Sequence, residues 1–296
     1  MTSPIRFFDV PSIADEDTKF LIIGVPFDGE MTQSRGSCIT APDAIRAISL
    51  DLSLTSEDGT DLNSLHIADL GNISSVTKIT KEVGKKFDQA SQTVPIFLGG
   101  SHYISYYCFQ SLSQAKSLEN LYYISLDAHL DCFDEWNGNK YTHCTVTRRI
   151  FEQLGSKSEN VHVIGARDID LPELEWADQV RLRFSRIQDI FDSSGTKIVK
   201  LKEIFTNKNE LKPPVYLSVD IDVFDPSVAP GTGYPIPGGI TYRNYLHILD
   251  QIISHFDIVG VDFVEYSTTL DFPNNMTAIL VAKLVIETLV RIKNKK

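Results

Sequence analysis

Positive charge is scarce in this sequence and nowhere concentrated, apart from a short KNKK run at the end. Twenty-eight Lys and Arg face 39 Asp and Glu, a formal net charge of −11. Nucleic acid is therefore not an expected partner, because phosphate contacts need basic clusters. An acidic field favours a cationic ligand instead. Long apolar runs are also absent: stretches such as Phe20–Val25 are far too short to span a bilayer, so no membrane association is expected. The opening MTSPIRFFDVP has no apolar h-region or small-residue cleavage site, so no signal peptide is expected. Cysteine is sparse. Cys38, Cys108, Cys132 and Cys144 occur in no C-x-x-C spacing, which argues against a disulfide scaffold or structural zinc and for a reducing cytoplasm. No Pro-rich or Ser/Gly-rich tract separates two composition regimes, and no repeat is visible. Residues 1–296 are accordingly expected to form a single α/β domain with a well-buried core.

What the chain does contain is an alternation of short β-branched and aromatic runs with longer helical patterns. Strands are expected at Phe20–Gly24, His66–Leu70, Pro95–Leu98, Leu121–Leu126, Val161–Gly165, Val180–Phe184, Val215–Val219 and Ile258–Phe263. Helices are expected at Ala41–Leu50, Thr77–Gln92, Ile104–Ser117, Cys144–Leu154, Tyr242–His255 and Asn275–Lys293. Several strands are nearly continuous in apolar residues, as strands covered on both faces should be. The expected fold is a three-layer αβα arrangement around a central, mostly parallel sheet of about eight strands.

Polar residues gather just past these strands. Leu98 runs into GGSH, Leu126 into DAHLD, Val219 into DIDVFDP, and Phe263 precedes Glu265. Ligands of open α/β sheets bind outside the carboxyl ends of the strands. In extended backbone, alternate residues share a face, so Asp127, His129 and Asp131 can converge, as can Asp220 and Asp222. Four carboxylates crowded without cations would repel and raise one another's pKa values. Two divalent cations resolve that conflict. With His102 and His129 they give a mixed oxygen and nitrogen ligand set suited to Mn2+, with Fe2+, Co2+, Ni2+ or Zn2+ as substitutes. Taken singly, each motif also reads as a solvated acidic loop, and His102 as a turn residue. A nucleophilic cysteine with His143 as its base is a rival, although carboxylate-rich surroundings favour reading Cys132 and Cys144 as packing residues.

At these residues the sequence resembles the ureohydrolase family of arginases, agmatinases and their relatives. The resemblance starts at IIGVPFD and SRGSCITAPDAIR, includes DAHLD, is most specific in SVDIDVFDPSVAPGTGYPIPGGIT, and continues to FVEYSTTLD. It implies that a first manganese is bound by His102, Asp127, Asp131 and Asp220, and a second by Asp127, His129, Asp220 and Asp222. Two such ions about 3.5–4 Å apart can hold a bridging hydroxide at neutral pH and aim it at a guanidinium carbon. By the same resemblance Asp131 also serves catalysis, His143 near the substrate shuttles protons, and Glu265 receives the guanidinium group. Relatives form trimers or hexamers, so a homo-oligomer is implied.

Departures from the family pattern also matter. The family has Asp or Glu before the first ligand histidine, whereas this chain has Ser101, which removes a charge beside that ligand, and Tyr103 follows it. Arginine-specific members carry an asparagine where this chain has Phe133, which cannot hydrogen-bond a carboxylate. The stretch from Asp134 to His143 resembles the agmatinase loop, and its acidic residues favour a free amine. The expected substrate is therefore a small cationic guanidino compound, agmatine first, giving putrescine and urea. Arg167-Asp168-Ile169-Asp170 and Glu173 resemble a segment by which arginases hold an α-amino group, and Tyr234 lies where the family often has Thr. Arginase, guanidinobutyrase and formimidoylglutamase are the enzyme alternatives. A single-zinc deacetylase of related fold and a non-catalytic polyamine-binding or regulatory relative are the others.

Overall fold

The structure, a computed structural model, describes residues 4–28, 35–75, 78–79, 93–118, 120–191 and 212–294. Among the described residues eight strands form one sheet: β1 Phe20–Gly24, β2 Ile67–Asn72, β3 Val94–Leu98, β4 Tyr122–Leu126, β5 Val161–Ala166, β6 Arg183–Arg186, β7 Pro214–Asp220 and β8 Asp257–Val264. Their order is β2-β1-β3-β8-β7-β4-β5-β6, and every pairing is parallel. Alternate side chains along each strand enter two different cores. Ile22, Leu98, Leu126, Leu217 and Val219 pack on one face with α1 (Ala41–Ser49), α6 (Tyr242–His255) and α7 (Met276–Asn294). Leu21, Phe97, Tyr123, Tyr216 and Val264 pack on the other with α2 (Ile104–Ala115), α3 (Val146–Leu154) and α4 (Leu171–Val180). A four-residue α5 (Ile187–Ile190) follows β6. The expected three-layer αβα architecture is the one observed. Each fully buried Leu or Ile contributes about 1.5–3 kcal/mol of transfer free energy, and the two cores together hold the strand ends in fixed register.

Three local differences from the sequence reading have physical causes. Strand β2 starts at Ile67 because His66 takes a left-handed conformation (φ 54°) that ends the 3-10 turn Leu62–Leu65. The run Val180–Phe184 is not one strand: Val180 closes α4, Arg181 adopts φ 57° as its left-handed cap, and β6 begins at Arg183. Helix α4 went unexpected although Asp170 and Glu173 form a capping box at its start. The helix expected at Thr77–Gln92 lies outside the described residues save for 78 and 79. Among the described residues no helix is long and apolar enough to cross a membrane.

Candidate metal centre

The strand order explains how residues more than 160 positions apart become neighbours. Strands β3, β8, β7 and β4 lie side by side, and their carboxyl ends carry the His102, Glu265, Asp220 and Asp127 segments. The Gly99–His102 turn is tied into that edge by backbone bonds from Gly99 to Phe263 (2.7 Å), from Ser101 to Phe27 (2.8 Å) and from Glu265 to Gly100 (2.9 Å). Glycine is required at 100 because a Cβ there would run into the backbone carbonyl of Phe27.

The carboxylates converge, but not by the extended-strand alternation the sequence suggested. Strand β4 stops at Leu126, and the following loop bends so that Asp131 takes φ 51°. Strand β7 ends at Asp220, and Ile221–Val223 forms a 3-10 turn that the Asp220 carboxylate caps by accepting the Asp222 N–H at 2.8 Å. Turning the chain, rather than extending it, aims Asp222 at the loop after β4, where its Oδ1 accepts the Ala128 N–H at 3.0 Å.

Two clusters result, each with ligand atoms within 4.8 Å of one another: His102, Asp127 and Asp220, and Asp127, His129 and Asp222. His102 Nδ1 lies 2.9 Å from Asp131, 3.1 Å from Asp220 and 3.3 Å from Asp127. His129 Nδ1 lies 2.9 Å from Asp222 and 3.6 Å from Asp127. Despite those short distances, His102 Nδ1 and Asp127 Oδ2 are buried with no hydrogen-bond partner in line. Unpaired buried polar atoms are costly, and a lone pair aimed among carboxylates is the environment a cation satisfies. The donor set therefore fits a pair of divalent ions, and Asp127 belongs to both clusters. The electrostatics agree. Burial, with the Asp127 charge added, pushes Asp131 up to about 8 despite the opposing pull of His102. Burial and then Asp222 hold Asp220 well above the usual carboxylate range. Burial acts to keep His102 and His129 neutral, but neighbouring groups outweigh it and raise both: at His102, Tyr123 and then three aspartates, and at His129, Asp222 and Asp127.

Beside the clusters is a pocket of about 140 Å³ lined by His129, Asp131, His143, Thr232, Tyr234 and Glu265, with Phe133, Trp136, Asp168, Asp170 and Glu173 farther along. Glu265 sits at φ 62°, so two residues of the site, Asp131 and Glu265, hold left-handed backbone. One Glu265 oxygen accepts the His102 N–H at 2.6 Å, and the other accepts from the Cys38 thiol at 3.8 Å. His143 opens the 3-10 turn His143–Thr145 before α3, and burial lowers its pKa against the opposing charge of Glu265. Its Nδ1 and the Thr232 hydroxyl are buried without hydrogen-bond partners.

Several residues here have roles that the sequence did not reveal, although Tyr234, Arg167, Asp170 and Glu173 stood out in it. Tyr234 stacks on His143 (centroids 5.7 Å, 28°), meets His129 edge-on at 6.0 Å, and carries the Arg35 guanidinium 4.8 Å from its ring centroid. Arg167 is not a ligand contact but a clasp. Its Nη2 donates to the carbonyls of Asp222 (2.6 Å) and Ile236 (2.7 Å), which ties the metal loop to the Pro/Gly-rich segment. Asp170 and Glu173 are partly spent on capping α4, and Glu173 also accepts the Cys132 N–H at 2.9 Å. Behind His102, Ser218 and Asp262 form a buried hydrogen-bonded pair at 2.6 Å. A single Asp within the apolar run IVGVDFV was the available signal, since a carboxylate buried in a central strand must be hydrogen-bonded.

An all-parallel αβα sheet with imidazoles and carboxylates at four adjoining strand ends defines a protein of arginase-like fold with a candidate dinuclear metal site. The Arginase family model matches residues 18–290. The agmatinase of Pyrococcus horikoshii is 32% identical over 291 residues, 95% of each chain. The N(1)-aminopropylagmatine ureohydrolase of Thermococcus kodakarensis is 31% identical over 281 residues, 91% of this chain and 90% of that protein. The crystal structure of agmatine ureohydrolase of Thermoplasma volcanium superposes with a TM-score of 0.80 at 27% identity, covering 99% of this chain and 96% of that one. The chain belongs to the arginase family.

Proposed function

We propose that this protein is an agmatinase-type ureohydrolase that splits agmatine and water into putrescine and urea. The observation that carries the reading is the convergence of two imidazoles and four carboxylates beside a pocket that, among the described residues, no Lys or Arg lines. His102, Asp127, Asp131 and Asp220 would hold one ion and Asp127, His129, Asp220 and Asp222 the other, Mn2+ being the first choice for this donor set. Bound there, such a pair supplies water acidified to react near neutral pH and offsets negative charge in the transition state. Family membership and the agmatine-named relatives support the same reading.

The chain's own residues account for the rest. Glu265, fixed by His102 and Cys38, presents its remaining acceptor capacity to the planar N–H donors of a guanidinium. His143, kept neutral by burial with an unpaired Nδ1, can take up and return a proton beside the reacting carbon. The bond that breaks joins that carbon to the nitrogen bearing the butyl chain. The water oxygen goes to urea, whose two NH2 groups keep the guanidinium's own protons, and both water protons end on the departing amine, which leaves as an ammonium. Phe133 gives no hydrogen bond to a substrate carboxylate, while Asp168, 62% exposed at the rim, meets a distal ammonium with favourable charge.

Arg35 on Tyr234 favours a second reading in which a guanidino acid such as arginine or 4-guanidinobutyrate is the substrate. The deciding experiment is urea release from agmatine, N(1)-aminopropylagmatine, arginine and 4-guanidinobutyrate, after reconstitution separately with Mn2+, Ni2+, Co2+ and Zn2+. Preference for agmatine supports the proposal, and preference for either acid replaces it. A homo-oligomer and a cytoplasmic setting belong to the same proposal, the latter suiting four free thiols of which three are buried.

A further inference from the structure

The Ser101 hydroxyl, beside His102 in the chain, is buried with no hydrogen-bond partner among the described residues. The imidazole is served from the opposite side. His102 Nε2 lies 3.0 Å from the Ser218 hydroxyl, which lies 2.6 Å from Asp262 Oδ1 and 3.2 Å from the Ser105 hydroxyl. Asp262 accepts a second bond at 2.6 Å from the Tyr216 hydroxyl. All five side chains are fully buried, His102 in the turn before α2 and the other four on β7, β8 and α2.

A count of protons fixes the direction of these bonds. A serine hydroxyl has one proton to give and two lone pairs to offer, and an ionised carboxylate only accepts. The two 2.6 Å contacts are the short lengths expected of O–H groups donating to a charged carboxylate. Ser218 thus gives its only proton to Asp262, and toward His102 it can only accept. In the neutral imidazole that can ligate a metal, Nε2 then carries the proton toward Ser218, with the Tyr123 hydroxyl a longer 3.4 Å away, and Nδ1 is left as a lone pair among Asp127, Asp131 and Asp220.

We propose that Ser218 and Asp262 are positioning residues for metal binding: a buried carboxylate–hydroxyl–imidazole relay selects the Nε2–H tautomer of His102. Metal-ligating histidines are generally oriented through their other ring nitrogen, and loss of the orienting partner costs roughly 10–100-fold in affinity. The inference rests on the two-metal reading above and adds to it which outer groups make His102 a ligand.

The test is calorimetric titration of the metal-free protein with Mn2+, comparing the unaltered chain with Ser218→Ala and Tyr216→Phe. Ser218→Ala is expected to weaken one of the two binding events by roughly 10–100-fold and spare the other. Tyr216→Phe strips a bond from the same carboxylate but leaves the relay intact. It is expected to lower the melting temperature while both binding events persist. Unchanged binding in Ser218→Ala, or equal weakening of both events in both variants, would overturn the proposal. A second measurement does not depend on Ser218→Ala folding: long-range 1H–15N spectra of the unaltered, histidine-labelled protein loaded with diamagnetic Zn2+. A proton on His102 Nε2 is expected, and a proton on Nδ1 would overturn it. If the unaltered chain takes up no Mn2+ or Zn2+, the two-metal reading itself fails. Two ions bound with no Ser218 effect sinks only the relay.

Discussion

Phe133 lines the same pocket as Asp131 and His143 but offers only an aromatic face, paired edge-on with Trp136 at 5.1 Å. Apolar contact tolerates an agmatine chain and gives nothing to a carboxylate. Phe133→Asn is therefore expected to shift the arginine-to-agmatine ratio of kcat/KM toward arginine by about tenfold or more, measured as urea release. Glu265→Gln keeps an acceptor for the His102 N–H but removes the charge facing the guanidinium. It is expected to lower kcat/KM by a hundredfold or so, the scale of losing a partner to a desolvated charge, while Mn2+ stoichiometry stays unchanged. At this scale the convergence of the candidate ligand residues was legible because they follow strands in motif order. Ser218, Asp262 and Tyr234 were not, since their roles depend on which strand lies alongside and on side-chain contacts that no local spacing encodes.

Among the elements, those with a strong periodic signal were read nearly to the residue: α6 coincides with the expected Tyr242–His255, and α7 is shifted by one position. Helix α4 was missed because its apolar residues make no strong stripe, and the Asp170 and Glu173 that mark its start were assigned to substrate. A local capping signal and a binding signal use the same side chains, and only the fold separates them. Arg167 makes the corresponding point between elements. Its clasp, with Nη2 on the carbonyls of Asp222 and Ile236 and Nε on that of Pro237, needs a planar fork that an ammonium lacks. Arg167→Lys is expected to lose about 1.5–3 kcal/mol of stability in urea titration, the range for a hydrogen bond to a charged group, and to loosen Mn2+ binding with it. In the packed layer beneath, Leu284→Ala on α7 empties a fully buried position and is expected to cost about 2–5 kcal/mol without altering metal stoichiometry.

For the molecule as a whole, acid is the sensitive direction even apart from the metal centre. His162 on β5 is buried against Ser185 at 3.0 Å, and burial lowers its pKa from the ordinary 6.5 to about 3, with Arg183 adding to the effect. Below pH 6.5 the unfolded chain takes up a proton that the folded chain refuses, so this contribution to stability is intact above 6.5 and declines as pH falls toward 3. The slope is about 1.4 kcal/mol per pH unit. His162→Asn is expected to flatten the denaturant midpoint between pH 6 and 4 relative to the parent, and an unchanged slope would assign the acid sensitivity elsewhere. The fold as a whole was legible because strands covered on both faces leave continuous apolar runs, whereas the order β3-β8-β7-β4, which brings the site together, comes only from tertiary pairing.

The most direct measurement is anomalous diffraction at the manganese edge from crystals grown with Mn2+. Two peaks about 3.5–4 Å apart are expected, with Asp127 and Asp220 between them and one peak each beside His102 and His129. A single peak, or none at these aspartates, would contradict the two-ion centre on which the proposed chemistry depends.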